Sequence, residues 1–362
     1  MDSIWPIYLG AFLVAFMLCC ILTPIAKALA WKLNFLDKPH NEGHKQHSDA
    51  TPVLGGAAIT LSWMVTLAIG YITITENILN LNSLEAISPG VFKRTLPLWV
   101  LMGGAGAFCL LGMVDDRNPM SAKVKLFLQI FICAIVSKWG FQITFFTANP
   151  LITWLLTFCW MMFILNAINF YDNMDGLCTG VTAIAATMFF LVASLQGHYL
   201  VALLAIVTAA SCFGFYVFNS NPASIFMGDS GSHFCGYMLA VLGGLVTYYD
   251  PETSVGTFSF LVPFAILALP IFDTFAVILI RLHLKEPIYI GDNNHISHRF
   301  VKMGFSRRCS VGMIHLLCIT AGLSGVALMY SALKIALIII VQLIAIFIFL
   351  TLLHSRQNRE KS

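Results

Sequence analysis

About eleven apolar stretches of membrane-spanning length, separated by short polar breaks, leave this chain few ways to fold. Of its 362 residues, 59% are hydrophobic and only 10% charged, with a mean hydropathy of +0.85. Soluble domains carry roughly 25% charged residues. A bilayer core asks for about 20 apolar residues per helical span. Hydrocarbon offers no partner for backbone N–H and C=O groups, so each stretch must pair its own. The fold class that follows is an all-α polytopic membrane protein. The expected helices cover 4–27, 52–72, 96–114, 124–139, 151–168, 178–196, 199–218, 233–249, 257–281, 309–330 and 333–354. No internal repeat divides them, so residues 1–362 are expected to form a single integral membrane domain. The first run has neither a basic leader nor a small-residue cleavage site, and is expected to be retained as a span.

Orientation follows from the cations. With residues 28–51 inside and the segments alternating from there, sixteen of the twenty Lys and Arg fall in the cytoplasm. The exceptions are Lys93, Arg94, Lys138 and Lys334. The positive-inside rule then sets the N-terminus outside and the C-terminus in the cytoplasm. The ten cysteines show no CxxC pair and are expected to pack as small apolar residues.

The acids gather in the inner breaks. Acids beside hydrocarbon are costly, so their clustering points to a use. The first inner loop, 37–51, carries His44, Lys45 and His47 and leads into Pro52 and Gly55-Gly56. Its cations suit an anionic phosphate, and the glycines allow close backbone approach at a helix start. A second break holds Asp115 and Asp116, with Lys125 on the following helix. Adjacent carboxylates raise each other's pKa unless a cation intervenes, so a divalent ion or a basic substrate group is expected there. A third reads Asn169-Phe-Tyr-Asp172-Asn173-Met-Asp175, and helical spacing would set Asn169, Asp172 and Asp175 on one face. In a fourth, Gly228-Asp229-Ser-Gly-Ser232, backbone N–H groups are expected to stay open to a phosphate. The basic cytoplasmic loop 281–309 carries His295, His298 and Arg299, a candidate pyrophosphate clamp. Asp273, about 12 Å up a helix from this loop, is expected to face the bundle interior and to position a base such as Lys125.

Taken in order, these strings resemble the polyprenyl-phosphate N-acetylhexosamine-1-phosphate transferase family, of the glycosyltransferase family 4 type. The resemblance runs from Asp37-x-Pro39 and Pro52-x-x-Gly55-Gly56 through Asp115-Asp116, Asn169-x-x-Asp172-x-x-Asp175-Gly176 and Met227-Gly228-Asp229 to the His295/His298 loop. It implies ten or eleven helices around a cleft on the cytoplasmic face. The reaction it implies moves a sugar-1-phosphate from a UDP-N-acetylhexosamine to undecaprenyl phosphate and releases UMP. The implied cofactor is Mg²⁺, with Mn²⁺ as the alternative.

Residue by residue, the resemblance makes Asp229 a metal ligand, joined by Asp115. Asp115 and Asp116 would handle the lipid phosphate, with Lys125 at the basic position. Asp172, Asp175, Asn169 and Asn173 would lie on the nucleotide side. His295, His298 and Arg299 would grip the donor, with Lys45 and His47 as further substrate contacts. This sequence departs from the family pattern at two places: Asn173 stands where a glycine is usual, and Ser297 where a histidine often is. The last loop also lacks the triple-histidine string of the UDP-MurNAc-pentapeptide branch, and sits closer to the UDP-GlcNAc branch. The resemblance further implies a bacterial inner membrane, a first membrane step in cell-surface glycan synthesis and a homodimer. No nucleic-acid partner is expected.

On this reading the lipid phosphate is itself the nucleophile, and direct attack is favoured over a covalent route through Asp115. Three rivals remain: phospho-MurNAc-pentapeptide transfer, an intramembrane aspartyl protease and a cation-coupled transporter. The protease reading needs two acids facing each other, and Asp172 and Asp229 sit at helix ends among other acids. The transporter reading needs acids at mid-span and usually repeated halves.

Overall fold

The structure is a computed structural model that describes residues 4–37, 50–76, 94–143, 149–246, 259–285 and 295–359. Each of the eleven expected stretches contains a helix. Helices α1 (Trp5–Lys32), α2 (Gly55–Thr75) and α3 (Thr95–Arg117) are followed by α4 (Ala122–Trp139) and α5 (Pro150–Tyr171). Next come α6 (Leu177–Leu195), α7 (Tyr199–Asn219) and α8 (Gly228–Val246). A 3₁₀ turn at Ser259–Leu261 leads into α9 (Val262–Ile266) and α10 (Ala268–Leu284), then α11 (Ile296–Lys302), α12 (Arg307–Leu328) and α13 (Leu333–Arg359). Among the described residues eight helices are long and apolar enough to cross a membrane. The protein is therefore a multi-pass membrane protein.

One expected helix is divided. Residues 257–281 give the 3₁₀ turn, α9 and α10 rather than a single rod. Pro270 has no N–H to offer the carbonyl of Ile266, the last residue of α9, so the ladder breaks there. Polar residues punctuate other ends. Ser121, Asn149 and Ser306 each accept a hydrogen bond from the first turn of α4, α5 and α12, and Pro150 takes the first position of α5.

The bundle is layered around α8. Nearly all of α8 is buried, and it packs against α2, α3, α5 and α6. By contrast α1 turns Leu9, Leu13, Met17, Ile21 and Ile25 outward, a stripe suited to lipid. Three large polar side chains inside the bundle bond between helices: Trp63 Nε1 donates to Thr208 Oγ1, Trp160 Nε1 to the Ala240 carbonyl, and Tyr237 to the Leu101 carbonyl.

Small residues bring the backbones of α2 and α3 against the start of α8. A Cβ at Gly56 would fall 2.1 Å from the Gly231 nitrogen, and one at Gly112 would fall 2.2 Å from the Ser230 nitrogen. The Gly55-Gly56 pair thus serves helix contact rather than a phosphate, as in other close membrane-helix crossings. The chain before it is tied to the chain before α8. Phe226 N donates to the Pro52 carbonyl, and Gly55 N and Gly56 N donate to the Phe226 and Met227 carbonyls. A two-residue antiparallel ladder, β1 (Leu36–Asp37) with β2 (Thr51–Pro52), fixes the same segment to the end of α1. Gly112→Ala is expected to destabilise the fold by about 1–3 kcal/mol through overpacking against backbone that cannot yield. A thermal unfolding midpoint within a degree of the parent would refute this packing role.

Candidate active site

Three of the breaks meet at one end of the bundle, around the ammonium of Lys125 in the first turn of α4. Lys125 Nζ lies 2.8 Å from Asp115 Oδ2 and 2.9 Å from Asp229 Oδ2. Asp115 comes from the last turn of α3 and is 9% exposed, whereas Asp229, in the first turn of α8, is 32% exposed. The other Asp115 oxygen accepts from Met120 N at 2.6 Å, a contact that folds the 118–121 turn back onto α3. The other Asp229 oxygen accepts from Asn169 Nδ2 at 2.8 Å, and Asn169 also reaches Ser232 Oγ at 2.7 Å. Lys125 thus bridges Asp115 to Asp229, not Asp115 to its neighbour Asp116.

The two adjacent aspartates have parted company. Asp116 turns away from Asp115 and accepts from Asp229 N at 2.7 Å and Ser230 N at 3.1 Å. It is a side-chain cap for α8, supplied from another helix. This corrects the expectation for the Gly228–Ser232 string. Helix α8 begins at Gly228, in a left-handed conformation with φ +68°, and its first N–H groups are taken by Asp116 rather than left open. A carboxylate at a helix N-terminus is favourable because it meets both the unpaired donors and the positive end of the dipole.

The Asn169/Asp172/Asp175 string does not stay helical. Helix α5 ends at Tyr171, Asp172 sits at its C-cap, and Gly176 turns the chain into α6 with φ +73°. The three side chains therefore diverge instead of sharing a face. Asn169 goes to Asp229, Asp172 is exposed, and Asp175 accepts from Asn221 Nδ2 at 3.0 Å and Ala223 N at 3.1 Å. Asp175 thereby clips the acid turn to the loop that leads into α8. Asn173 accepts a 2.6 Å hydrogen bond from Ser297 Oγ in α11.

Asp273 lies away from its expected partner. It is fully buried and pairs with the histidine loop rather than Lys125: His295 Nδ1 donates to Oδ2 at 2.6 Å, and Ile296 N donates to Oδ1 at 2.8 Å. Both carboxylate oxygens thus hold the start of α11. His295 keeps only Nε2 for any further partner, and Arg299 is 6% exposed. Lys45, His47 and residues 286–294 of the basic loop lie outside the described residues.

His298 has its imidazole pKa pushed down to about 4, first by burial and then by the nearby His295, Lys302 and Arg307, with Asp273 opposing. An unfolded histidine titrates near 6.5. Below about pH 6.5 the unfolded chain therefore takes up a proton that folded His298 refuses until about pH 4. Stability should fall across that window as pH falls, with no contribution above it. His298→Gln is expected to flatten this part of the melting-temperature profile. A profile identical to the parent's would contradict the burial argument.

Two side chains near the centre were not singled out in the sequence. His233 Nδ1 donates to the Asp229 carbonyl (2.5 Å) and its Nε2 accepts from Gln129 Nε2 (3.0 Å), locking the first turn of α8 to α4. Asn219 Oδ1 accepts from Gly176 N and Thr179 Oγ1 while Nδ2 donates to the Ile225 carbonyl. His233 follows the Gly228–Ser232 string and Asn219 opens the polar stretch to Pro222, but neither spacing reveals a partner. Only contact across the fold shows the use of each.

Among the described residues no three His, Cys, Asp or Glu side chains stand together as a metal cage. Mg²⁺ rarely has one; it takes one or two carboxylates, substrate phosphates and water. Asp229 suits that role by its exposure. Asp115 suits it less, being nearly buried with its oxygens on Lys125 and Met120 N.

Comparison with known proteins identifies the family. The family model for glycosyl transferase family 4 matches residues 98–247, which hold Asp115, Asp116, Lys125, Asp172, Asp175 and Asp229. A Bacillus subtilis (strain 168) protein described as a probable undecaprenyl-phosphate N-acetylglucosaminyl 1-phosphate transferase is 35% identical over 343 residues, 92% of this chain and 88% of its own. The chain belongs to this transferase family. A decaprenyl-phosphate N-acetylglucosaminephosphotransferase of Mycolicibacterium smegmatis is 29% identical, covering 75% of this chain and 70% of its own. A phospho-N-acetylmuramoyl-pentapeptide-transferase of Bacillus subtilis is 33% identical over a shorter stretch, 67% of this chain and 74% of its own. The GlcNAc-1-phosphate relative thus matches more of the chain than the pentapeptide relative does.

Proposed function

We propose that this protein transfers N-acetylglucosamine 1-phosphate from UDP-N-acetylglucosamine to undecaprenyl phosphate and releases UMP. The observation that carries the reading is the Lys125 ammonium held between Asp115 and Asp229, where three chain breaks converge. An oxygen of the lipid phosphate attacks the phosphorus that bears the sugar. The bond from that phosphorus to the bridging oxygen breaks, and the electron pair leaves on UMP. The nucleophile is already ionised, so no protein base is needed for attack. The obstacle is bringing two anions together.

Lys125 offsets part of that repulsion, and its fixed place between two acids keeps it charged and aimed. Asp115 supports direct attack rather than a covalent route, since both its oxygens already accept strong hydrogen bonds and little of it is exposed. Mg²⁺, or Mn²⁺ in its place, would be held by Asp229 with phosphate oxygens and would neutralise charge on the leaving group. Asp172, exposed beside this centre, is assigned to the incoming substrate. His298 and the Nε2 of His295 face the donor from α11. Asp116, Asp175 and Asp273 act through the elements they fasten.

The positive-inside bias supports a cytoplasmic side for this end of the bundle, and the reading takes the membrane to be a bacterial inner membrane, with nucleotide sugars on that side. The product would begin a cell-surface glycan. A protease dyad shares a proton between two facing acids, whereas Asp229 is paired with a cation. The deciding experiment is UMP release by purified protein with undecaprenyl phosphate, Mg²⁺ and either UDP-GlcNAc or UDP-MurNAc-pentapeptide. Lipid-dependent UMP from UDP-GlcNAc is expected, and Asp229→Asn should remove it. Turnover only with the pentapeptide donor would overturn the sugar assignment, and silence from both would overturn the activity.

A further inference from the structure

The two positions at which this sequence departs from the family pattern, Asn173 and Ser297, bond to each other. They are 124 residues apart, on the acid turn after α5 and the first turn of α11, and their oxygens meet at 2.6 Å. Ser297 is 1% exposed, so its hydroxyl has been withdrawn from solvent to make this contact. The amide of Asn173 is itself steadied, donating to the Phe170 carbonyl at 3.3 Å. On its other side α11 is fastened by Asp273, through His295 and Ile296 N. The start of α11 is therefore pinned at two points, one on α10 and one on the acid turn. His298 follows Ser297 directly, and Asp172 precedes Asn173 directly.

We propose that Asn173 and Ser297 form a matched positioning pair that sets His298 against Asp172 and so tunes the grip on the nucleotide-sugar donor. A glycine at 173 has no side chain to receive the Ser297 hydroxyl, and an imidazole at 297 would overfill the buried space that the hydroxyl occupies. Either change alone breaks the fit. Made together they restore the commoner family combination. The pair also replaces a titratable imidazole with a neutral hydroxyl, so the donor grip has one fewer group that charges near neutral pH. This inference rests on the transferase reading above.

The test is a double-substitution cycle on the full-length protein in detergent: Asn173→Gly, Ser297→His, the two together, and Ser297→Thr as the variant that keeps the hydroxyl. KM for UDP-GlcNAc, KM for undecaprenyl phosphate, and kcat are measured for each. Each disruptive single change is expected to raise the donor KM about tenfold, the loss of one buried hydrogen bond, with the lipid KM nearly unchanged. The double variant should recover most of that loss and gain an ionisation in its pH profile, and Ser297→Thr should stay near the parent. Additive losses in the double variant would overturn the pair, as would equal losses for both substrates, which mark general loosening. If the unsubstituted protein releases no UMP from any UDP-sugar, the transferase reading itself fails and the pair with it.

Discussion

Lys125→Met is expected to lower turnover by about 10²–10³-fold, the scale on which a single preorganised electrostatic donor acts in enzyme sites. The substitution keeps an unbranched flexible chain, one atom shorter, and removes the charge and the donors. Asp115 and Asp229 would then face each other across the space the ammonium filled, with no side-chain cation between them. Lys125→Arg should fall between, since it keeps the charge but offers a planar fork where a compact ammonium fits. The effect on stability should be small by comparison, because Asp229 is a third exposed and water screens the pair. Initial rates of UMP release decide the matter: a methionine variant within a few-fold of the parent would remove Lys125 from the centre of the site.

Asp273→Asn separates fold from function at the histidine loop. Two donors, His295 Nδ1–H and Ile296 N–H, converge on the two oxygens of a fully buried carboxylate. An amide has one acceptor end and one donor end, so it can satisfy only one of them. The variant is expected to keep its fold at a cost of about 1–3 kcal/mol, the penalty for a buried donor left without a partner. The imidazole would turn or change tautomer, and UMP release should drop about 10²-fold, in line with the loss of one aligned catalytic contact. Asp273→Ala removes both acceptors and should cost more stability, about 3–5 kcal/mol. Measured together, melting temperature and turnover check the assignment. Asparagine at 273 with parental activity would show that His295 needs no carboxylate behind it.

Much of this was legible in the sequence, for identifiable reasons. Apolar run length reports helices directly, because a backbone in hydrocarbon must bond within its own segment. That is why the helix positions hold to within a few residues. The exceptions are the Pro270 break, the start of α8 five residues before its apolar run, and the ends of α1 and α13, each five residues beyond the expected bound. Asp115, Lys125 and Asp229 were also visible, since charge is rare enough in such a chain that each occurrence draws notice. Side-chain direction was not visible. Adjacent Asp115 and Asp116 share a sequence position in all but one step, yet one neutralises a lysine and the other caps a helix. Asn169, Asp172 and Asp175 keep helical spacing, yet the helix ends at Tyr171 and sends them three ways.

The sequence alone therefore determined that the chain crosses a membrane many times and collects its acids in the breaks, because hydrophobicity and charge are properties of residues and need no partner to act. Only the tertiary structure decided which acids pair with Lys125, which one caps α8, and that Asp273 belongs to His295. Those outcomes depend on distances between segments as much as a hundred residues apart. Hydrogen bonds and ion pairs fade within a few ångströms, and no local pattern encodes which distant group will fall inside that range.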